Sequence, residues 1–173
     1  MVNATKVLPR RESNCIVFHT APLPYGRGGS LIQNLIPEGF SEAPVNALSM
    51  TSGLDAGDIY LSKKVSLDGN LNEILDRIST IIQEMIIQIV NGDYNLSQQS
   101  GEPKYFKRRS GIQNELPISE NDIKKIYNQI RMLDAPDYPC AYLKIGNFSF
   151  EFSDSHLQDN QIEAKVKIKR INN

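Results

Sequence analysis

The chain has 173 residues, 40% of them hydrophobic and 23% charged, an ordinary globular make-up with room for one domain and a small appendage. A formal charge of −1 argues against a general electrostatic attraction to nucleic acid or to an anionic membrane. Cys15 and Cys140 are too few and too far apart for a disulfide framework or a zinc pattern, and no run is long and apolar enough to span a bilayer. Residues 1–14 are weakly patterned, and their Arg10–Arg11–Glu12 run predicts exposure. No apolar core follows those charges, so the start does not read as a secretory signal and a cytoplasmic location is expected.

The first confident element is the apolar run Cys15–Ile16–Val17–Phe18, which reads as a buried strand delivering His19 at its end. Cys15 is expected there as a small buried hydrophobe. A Pro/Gly-rich loop follows, Pro22 to Gly29. A helix over Ser30–Pro37 takes Ser30 as its cap, buries Ile32, Leu35 and Ile36, and stops at Gly39. A second strand, Val45 to Met50, leads into the turn Gly53–Leu54–Asp55–Ala56–Gly57–Asp58. Ile59–Tyr60–Leu61 and Val65 to Leu67 then read as a strand or strand pair, with a turn at Asp68–Gly69.

The longest element comes next. Asn70 and Glu73 have capping-box spacing, and Leu71, Ile74, Leu75, Ile78, Ile82, Met85, Ile86 and Ile89 recur at helical spacing up to Gly92. A stripe this regular predicts a core-facing helix. Residues 93–117 are polar and read as a connector. Within it, Lys104–Tyr105–Phe106–Lys107–Arg108–Arg109 fits either a phosphate or nucleic-acid contact, or a short strand with a solvated charged end. Ser119 and Asp122 are placed to cap a second amphipathic helix that buries Ile123, Ile126, Tyr127 and Ile130. The last part is β-like: Ala141 to Ile145, a Gly146–Asn147 turn, then Phe148, Phe150 and Phe152 in alternation, and a final strand from Ile162 to Ile171. Lys165, Lys167 and Lys169 share one face of that strand, a common solvent-side choice; with Arg170 they also make a basic face.

His19 and Asp55 are the residues with chemistry to offer. A histidine titrates near neutrality and moves protons, and a carboxylate orients it or stabilises its charged form. Both sit at strand ends beside glycine-rich turns, where sites of open α/β sheets form. The alternative is structural: a histidine bonded within the fold and an aspartate serving its own turn.

The segment His19–Thr20–Ala21–Pro22–Leu23–Pro24–Tyr25–Gly26–Arg27–Gly28–Gly29–Ser30, then Ile32–Gln33 and Gly53–Leu54–Asp55–Ala56–Gly57–Asp58, resembles the signature of the folate-dependent formyltransferases. That family includes methionyl-tRNA formyltransferase and the N-formyltransferases of amino sugars. Phe106–Lys107–Arg108–Arg109 and the later Ile126–Tyr127, Arg131 and Leu133–Asp134–Ala135–Pro136 are similar to the region after the family's catalytic domain. The resemblance implies an α/β fold: the second half of a doubly wound formyltransferase-type sheet followed by a small α+β appendage. It implies a division into a partial catalytic domain at 1–95, a connector at 96–118 and a C-terminal α+β domain at 119–173.

It also implies an enzyme passing a formyl group from 10-formyltetrahydrofolate to an amine through a tetrahedral intermediate, without a metal. His19 would stabilise or protonate that intermediate, and Asp55 would orient His19 and help remove the amine's proton. Gly26, Arg27, Gly28, Gly29 and Asp55 would line the donor's entrance. Arg27 would either pair with an anionic part of a substrate or tie down the loop. Asp58 would be structural.

Two departures from the family's pattern matter, one at the histidine strand and a larger one ahead of it. An asparagine usual two residues before the histidine is Val17 here, and losing one such oxyanion donor costs about a hundredfold to a thousandfold in rate. A proline common after Ser30 is Leu31 here, a lesser change. In the family several strand–helix units precede the histidine strand, where only 14 residues precede Cys15 here. The expectation is either a truncated piece or a sheet completed by another chain, with a homo-oligomer also possible. The expected acceptor is a small-molecule amine of a sugar nucleotide rather than methionyl-tRNA, because tRNA affinity comes mainly from phosphate neutralisation. The rival reading is a non-catalytic remnant that binds without turnover.

Overall fold

The computed structural model describes residues 15–117 and 119–171; the Arg10–Arg11–Glu12 run lies outside them. Strands β1 (Ile16–Thr20), β3 (Glu42–Ser49) and β4 (Ile59–Ser66) form an antiparallel sheet in the order β1-β3-β4. Between β1 and β3 lie β2 (Tyr25–Gly28) and the short helix α1 (Leu31–Leu35). After β4 come α2 (Leu71–Val90), β5 (Lys104–Phe106), a 3-10 turn over Gly111–Asn114, and α3 (Ile123–Arg131). A second antiparallel sheet closes the chain, β6 (Ala141–Ile145), β7 (Phe148–Gln158) and β8 (Gln161–Arg170) in that order.

The mixed sheet-and-helix first part is thus followed by a small α+β part, in which α3 packs against β7. Most element types agree with the sequence, and the differences have local causes. Ser30 does not cap α1 with its side chain: it sits at φ 53 in the left-handed region, and its Oγ accepts the Arg109 N–H at 3.0 Å instead. The second strand begins at Glu42, ahead of Val45, because Glu42 and Ala43 pair with Ser66 and Val65 of β4. The strand or strand pair after Asp58 is one strand. Asp122, not Ser119, caps α3, accepting from the Lys124 N–H at 2.9 Å. Cys15 is exposed rather than buried, standing just before β1.

Helix α2 follows its sequence closely. Asn70 Oδ1 accepts the Glu73 N–H at 3.0 Å and Glu73 Oε2 accepts the Asn70 N–H at 2.9 Å, completing the capping box. Leu71, Ile74, Ile78 and Met85 are buried, a face that adds about 2 kcal/mol per side chain from removal of apolar surface from water. The stripe is narrower than the periodicity suggested, since Leu75 and Ile86 are 43% and 45% exposed. With Ile87 and Val90 they leave an apolar strip along the helix uncovered by any described residue.

One core runs through the molecule. Leu35, Val45, Leu71 and Ile74 from the first part join Ile130, Met132, Leu133 and Ala141 from the second. The connector is not loose: β5 pairs in parallel with β2, and Ser97 bridges to Ile59.

Candidate active site

His19 sits on β1 directly opposite Asn46 of β3, and both are nearly sealed from solvent. Asn46 Nδ2 donates to the carbonyls of Ala21 at 2.7 Å and His19 at 3.4 Å, which fixes the path the chain takes out of β1. Sequence reading passed over this residue. Its signal was present, as an amide inside the apolar run Val45–Asn46–Ala47–Leu48.

The ring of His19 is bonded on one nitrogen. Nε2 lies 2.8 Å from the Gly26 carbonyl oxygen, which only accepts, so Nε2 carries the proton. Nδ1 faces Asp55 Oδ2 at 3.6 Å, close enough for an ion pair with the charged ring and too long for a hydrogen bond. The sequence placed these two residues 36 positions apart, and the fold brings them together. Asp55 is held at φ 48, and its Oδ2 accepts the Gly28 N–H at 2.8 Å. Its carboxylate is the more accessible of the pair, 18% against 6% for the His19 side chain.

The glycines around the pair are required by the chain's own close approaches. A Cβ on Gly28, which has φ 111, would stand 2.2 Å from the Phe106 carbonyl oxygen where β2 meets β5. A Cβ on Gly57 would stand 1.8 Å from the Ser49 carbonyl oxygen. Gly26 lends its carbonyl to His19, and the Gly29 N–H donates to Phe106 O at 3.2 Å. The Asp58 carbonyl accepts from the Ser49 N–H at 2.9 Å and closes the turn.

Among the described residues, Arg27 bonds no backbone carbonyl. Its Nε and Nη2 both donate to Gln99 Oε1, at 3.2 and 2.7 Å. The Gln99 amide in turn donates to the carbonyls of Asp55 at 2.8 Å and Gly57 at 2.9 Å. The chemistry fixes its orientation: nitrogen faces two carbonyls and oxygen faces a guanidinium. Gln99 therefore clasps the Asp55 turn to the Arg27 loop with all four of its hydrogen-bonding positions. It lies in a connector that sequence alone reads as featureless, and nothing in the local pattern marked it.

Comparison with known proteins decides the family. Residues 109–169 match the family described as methionyl-tRNA formyltransferase, C-terminal domain. The chain is 38% identical to the structure of methionyl-tRNA formyltransferase from Clostridium thermocellum, with a TM-score of 0.87, covering 91% of this chain and 69% of that one. The chain belongs to the methionyl-tRNA formyltransferase family. It is 30% identical to the methionyl-tRNA formyltransferase of Lysinibacillus sphaericus over 151 residues, 83% of this chain and 48% of that protein. It thus spans about half the length of the curated relatives it matches. A more distant structure, WlaRD, described as a sugar 3N-formyl transferase in the presence of dTDP and 5-N-formyl-THF, is 18% identical with a TM-score of 0.55, covers 79% of this chain and 60% of that one, and shares the fold.

Within this formyltransferase-family chain, the segment 130–134 joins the site half to the C-terminal part. Arg131 Nη1 donates to the carbonyls of Leu67 at 2.6 Å and Gly69 at 2.8 Å, and Nε to Asn128 Oδ1 at 2.8 Å. Burial pushes the Arg131 guanidinium down from its ordinary range, offset in part by Tyr127 and Asp68. Gln33 Nε2 donates to Met132 O at 3.2 Å, and the Asn72 N–H to Asp134 O at 3.1 Å.

Proposed function

We propose that this chain carries the acid–base half of a formyl-transfer site that moves a formyl group from 10-formyltetrahydrofolate to a primary amine. The observation that carries the reading is the convergence of His19, near the end of β1, and Asp55, in the turn after β3, 3.6 Å apart. The donor supplies an activated formyl group; transfer forms a bond from the amine nitrogen to the formyl carbon and breaks the bond to the donor nitrogen, which leaves with a proton. Asp55, the more exposed of the pair, takes the proton from the amine. The His19 Nε2–H turns from Gly26 O to donate a hydrogen bond to the reacting carbonyl oxygen, and the proton taken up by Asp55 is handed to the departing donor nitrogen, which restores the carboxylate. The residues present fit the reacting end of the donor: a carboxylate, an imidazole and a guanidinium with Nη1 free of hydrogen bonds among the described residues. Gly26, Gly28 and Gly29 are occupied in packing, which leaves Arg27 and Asp55 as this chain's contacts for the donor.

Membership of the methionyl-tRNA formyltransferase family favours methionyl-tRNA as the acceptor over the amino-sugar nucleotide expected from charge. The amino-sugar reading keeps one support, the formal charge of −1. Turnover draws on the part of the fold that relatives carry outside the matched half. The second edge of β1, unpaired by any named strand among the described residues, and the apolar strip of α2 are surfaces suited to it. The test is formyl transfer from the folate donor to methionyl-tRNA and, separately, to amino-sugar nucleotides, with His19→Ala alongside. Transfer at the wild-type rate in His19→Ala would sink the assignment, as would a folded and complete assembly that formylates neither acceptor.

A further inference from the structure

The run Lys107–Arg108–Arg109 is not used by the site above. Most lysines around the molecule have carboxylate partners: Lys104 with Glu38, Lys63 with Glu84, Lys165 with Asp154 and Lys169 with Glu151. Among the described residues, Lys107, Arg108 and Arg109 have none within ion-pair distance. Arg109 is the informative member because it is half-buried. Its Nη2 donates to Gln113 O at 2.6 Å and Gln129 Oε1 at 3.4 Å, while Nε is sealed from solvent with no partner and Nη1 makes no hydrogen bond among the described residues. Arg131, the comparable half-buried arginine, has both Nε and Nη1 bonded. A desolvated cation left unpaired is costly, and burial lowers the Arg109 guanidinium from its ordinary range.

Beside Arg109 lies a cavity of about 90 Å³ lined by Ser30, Ser110, Asn114, Leu133 and Tyr138, with no carboxylate in its wall. That is about three waters' worth of liquid volume, the size of one tetrahedral oxyanion. Its wall offers donors. The Ser30 hydroxyl oxygen already accepts the Arg109 N–H at 3.0 Å, so its proton points elsewhere, and the Tyr138 hydroxyl has no hydrogen-bond partner among the described residues. Ser30 directly follows the Gly26–Gly29 loop, so the cavity borders the candidate active site along the chain. We propose that this cavity binds a phosphate group, with Arg109 Nη1 as the anchoring cation and the Ser30 and Tyr138 hydroxyls as neutral donors. The phosphate comes either from an ester on the acceptor or from the free anion; only the first source rests on the formyl-transfer reading.

The experiment titrates inorganic phosphate into the full chain at constant ionic strength, following the arginine Nε–H signals by NMR. The expected result is a saturable shift of the Arg109 signal. Arg109→Gln weakens phosphate binding about tenfold or more, read by calorimetry, because a charge-assisted contact is lost. Tyr138→Phe, which removes one hydroxyl and keeps the ring, weakens it by about threefold. It also keeps the test decisive if Arg109→Gln disturbs the tie to Gln113. Arg170→Gln, on the far sheet, leaves binding unchanged. Methionyl-tRNA binding with and without saturating phosphate then separates the sources: competition assigns the site to a phosphate of the acceptor, and independence assigns it to the free anion. No saturable response in the folded wild type would overturn the proposal, as would undiminished binding in Tyr138→Phe and Arg109→Gln together. Neither result depends on whether the chain transfers formyl groups.

Discussion

The two three-stranded sheets use the same antiparallel pairing and differ in how they are covered. Along β3, Val45, Ala47 and Leu48 are completely buried, and even Asn46 is 2% exposed. Along β8, ten residues long, none is buried. The first sheet lies under helices and its own loop, so it can hold an imidazole and an amide out of water at fixed positions. The second has one covered face, where Ala141 and Phe152 meet α3, and one solvated face carrying Lys165, Lys167 and Lys169. Two of those lysines pair with Asp154 at 2.7 Å and Glu151 at 2.6 Å, so the basic stripe is largely neutralised locally. The pair with catalytic potential sits beside the sheet whose central strand is buried on both faces.

The sharpest way to break this contrast is at the ring itself. His19→Ala is expected to cut formyl transfer by about a thousandfold, the scale of a lost acid–base group, while leaving the amide spectrum of β6–β8 unchanged. Next in size are matched truncations in the two sheets. Leu48→Ala is expected to destabilise the protein by about 3 kcal/mol in urea unfolding, and Ile168→Ala, 60% exposed, by no more than about 0.5 kcal/mol. Equal costs would mean that the second sheet is covered in solution.

A smaller effect tests the clasp between the connector and the site. Gln99→Leu is expected to lower kcat by about tenfold to a hundredfold, because the Asp55 turn and Arg27 lose their common anchor, with little change in Tm. Faster hydrogen exchange at the Gly28 amide, which reports the Asp55 carboxylate, would accompany it. Unchanged exchange and unchanged kcat would reduce Gln99 to a bystander.

The smallest effect is a pH dependence at the seam. Burial first, then the charges of Asp154 and Glu73, push the Asp134 carboxyl above its ordinary value, against the Asp154 N–H that favours the charged form. The folded state thus holds a proton that the unfolded chain has released. This contribution is complete below the ordinary carboxylate pKa and is lost as pH rises through the raised one. Asp134→Asn should match wild-type Tm in acid and exceed it at neutral pH; a gap of the opposite sign would refute the direction.

The difference in coverage also explains what the sequence disclosed. Strands solvated on one face announce themselves by alternation, so Phe148–Phe150–Phe152 and the lysine stripe were legible, as was α2 from its capping box and period. The pairing of His19 with Asp55 was legible only through the resemblance of the motif to a family, because nothing local links residues so far apart. Gln99 and Asn46 act through long-range bonds to backbone carbonyls, and a carbonyl looks the same in every residue. The overestimate at Leu75 and Ile86 has a related cause: periodicity marks an apolar face, and what covers that face is decided elsewhere.

The grip of Arg131 on the carbonyls of Leu67 and Gly69 bears on anyone wishing to exchange the C-terminal part for that of a relative. A graft cut in the connector alone would remove Arg131 and leave those two carbonyls without their donor. The turn at 67–70 has to travel with the segment 130–134, so the natural unit of exchange is discontinuous in the chain.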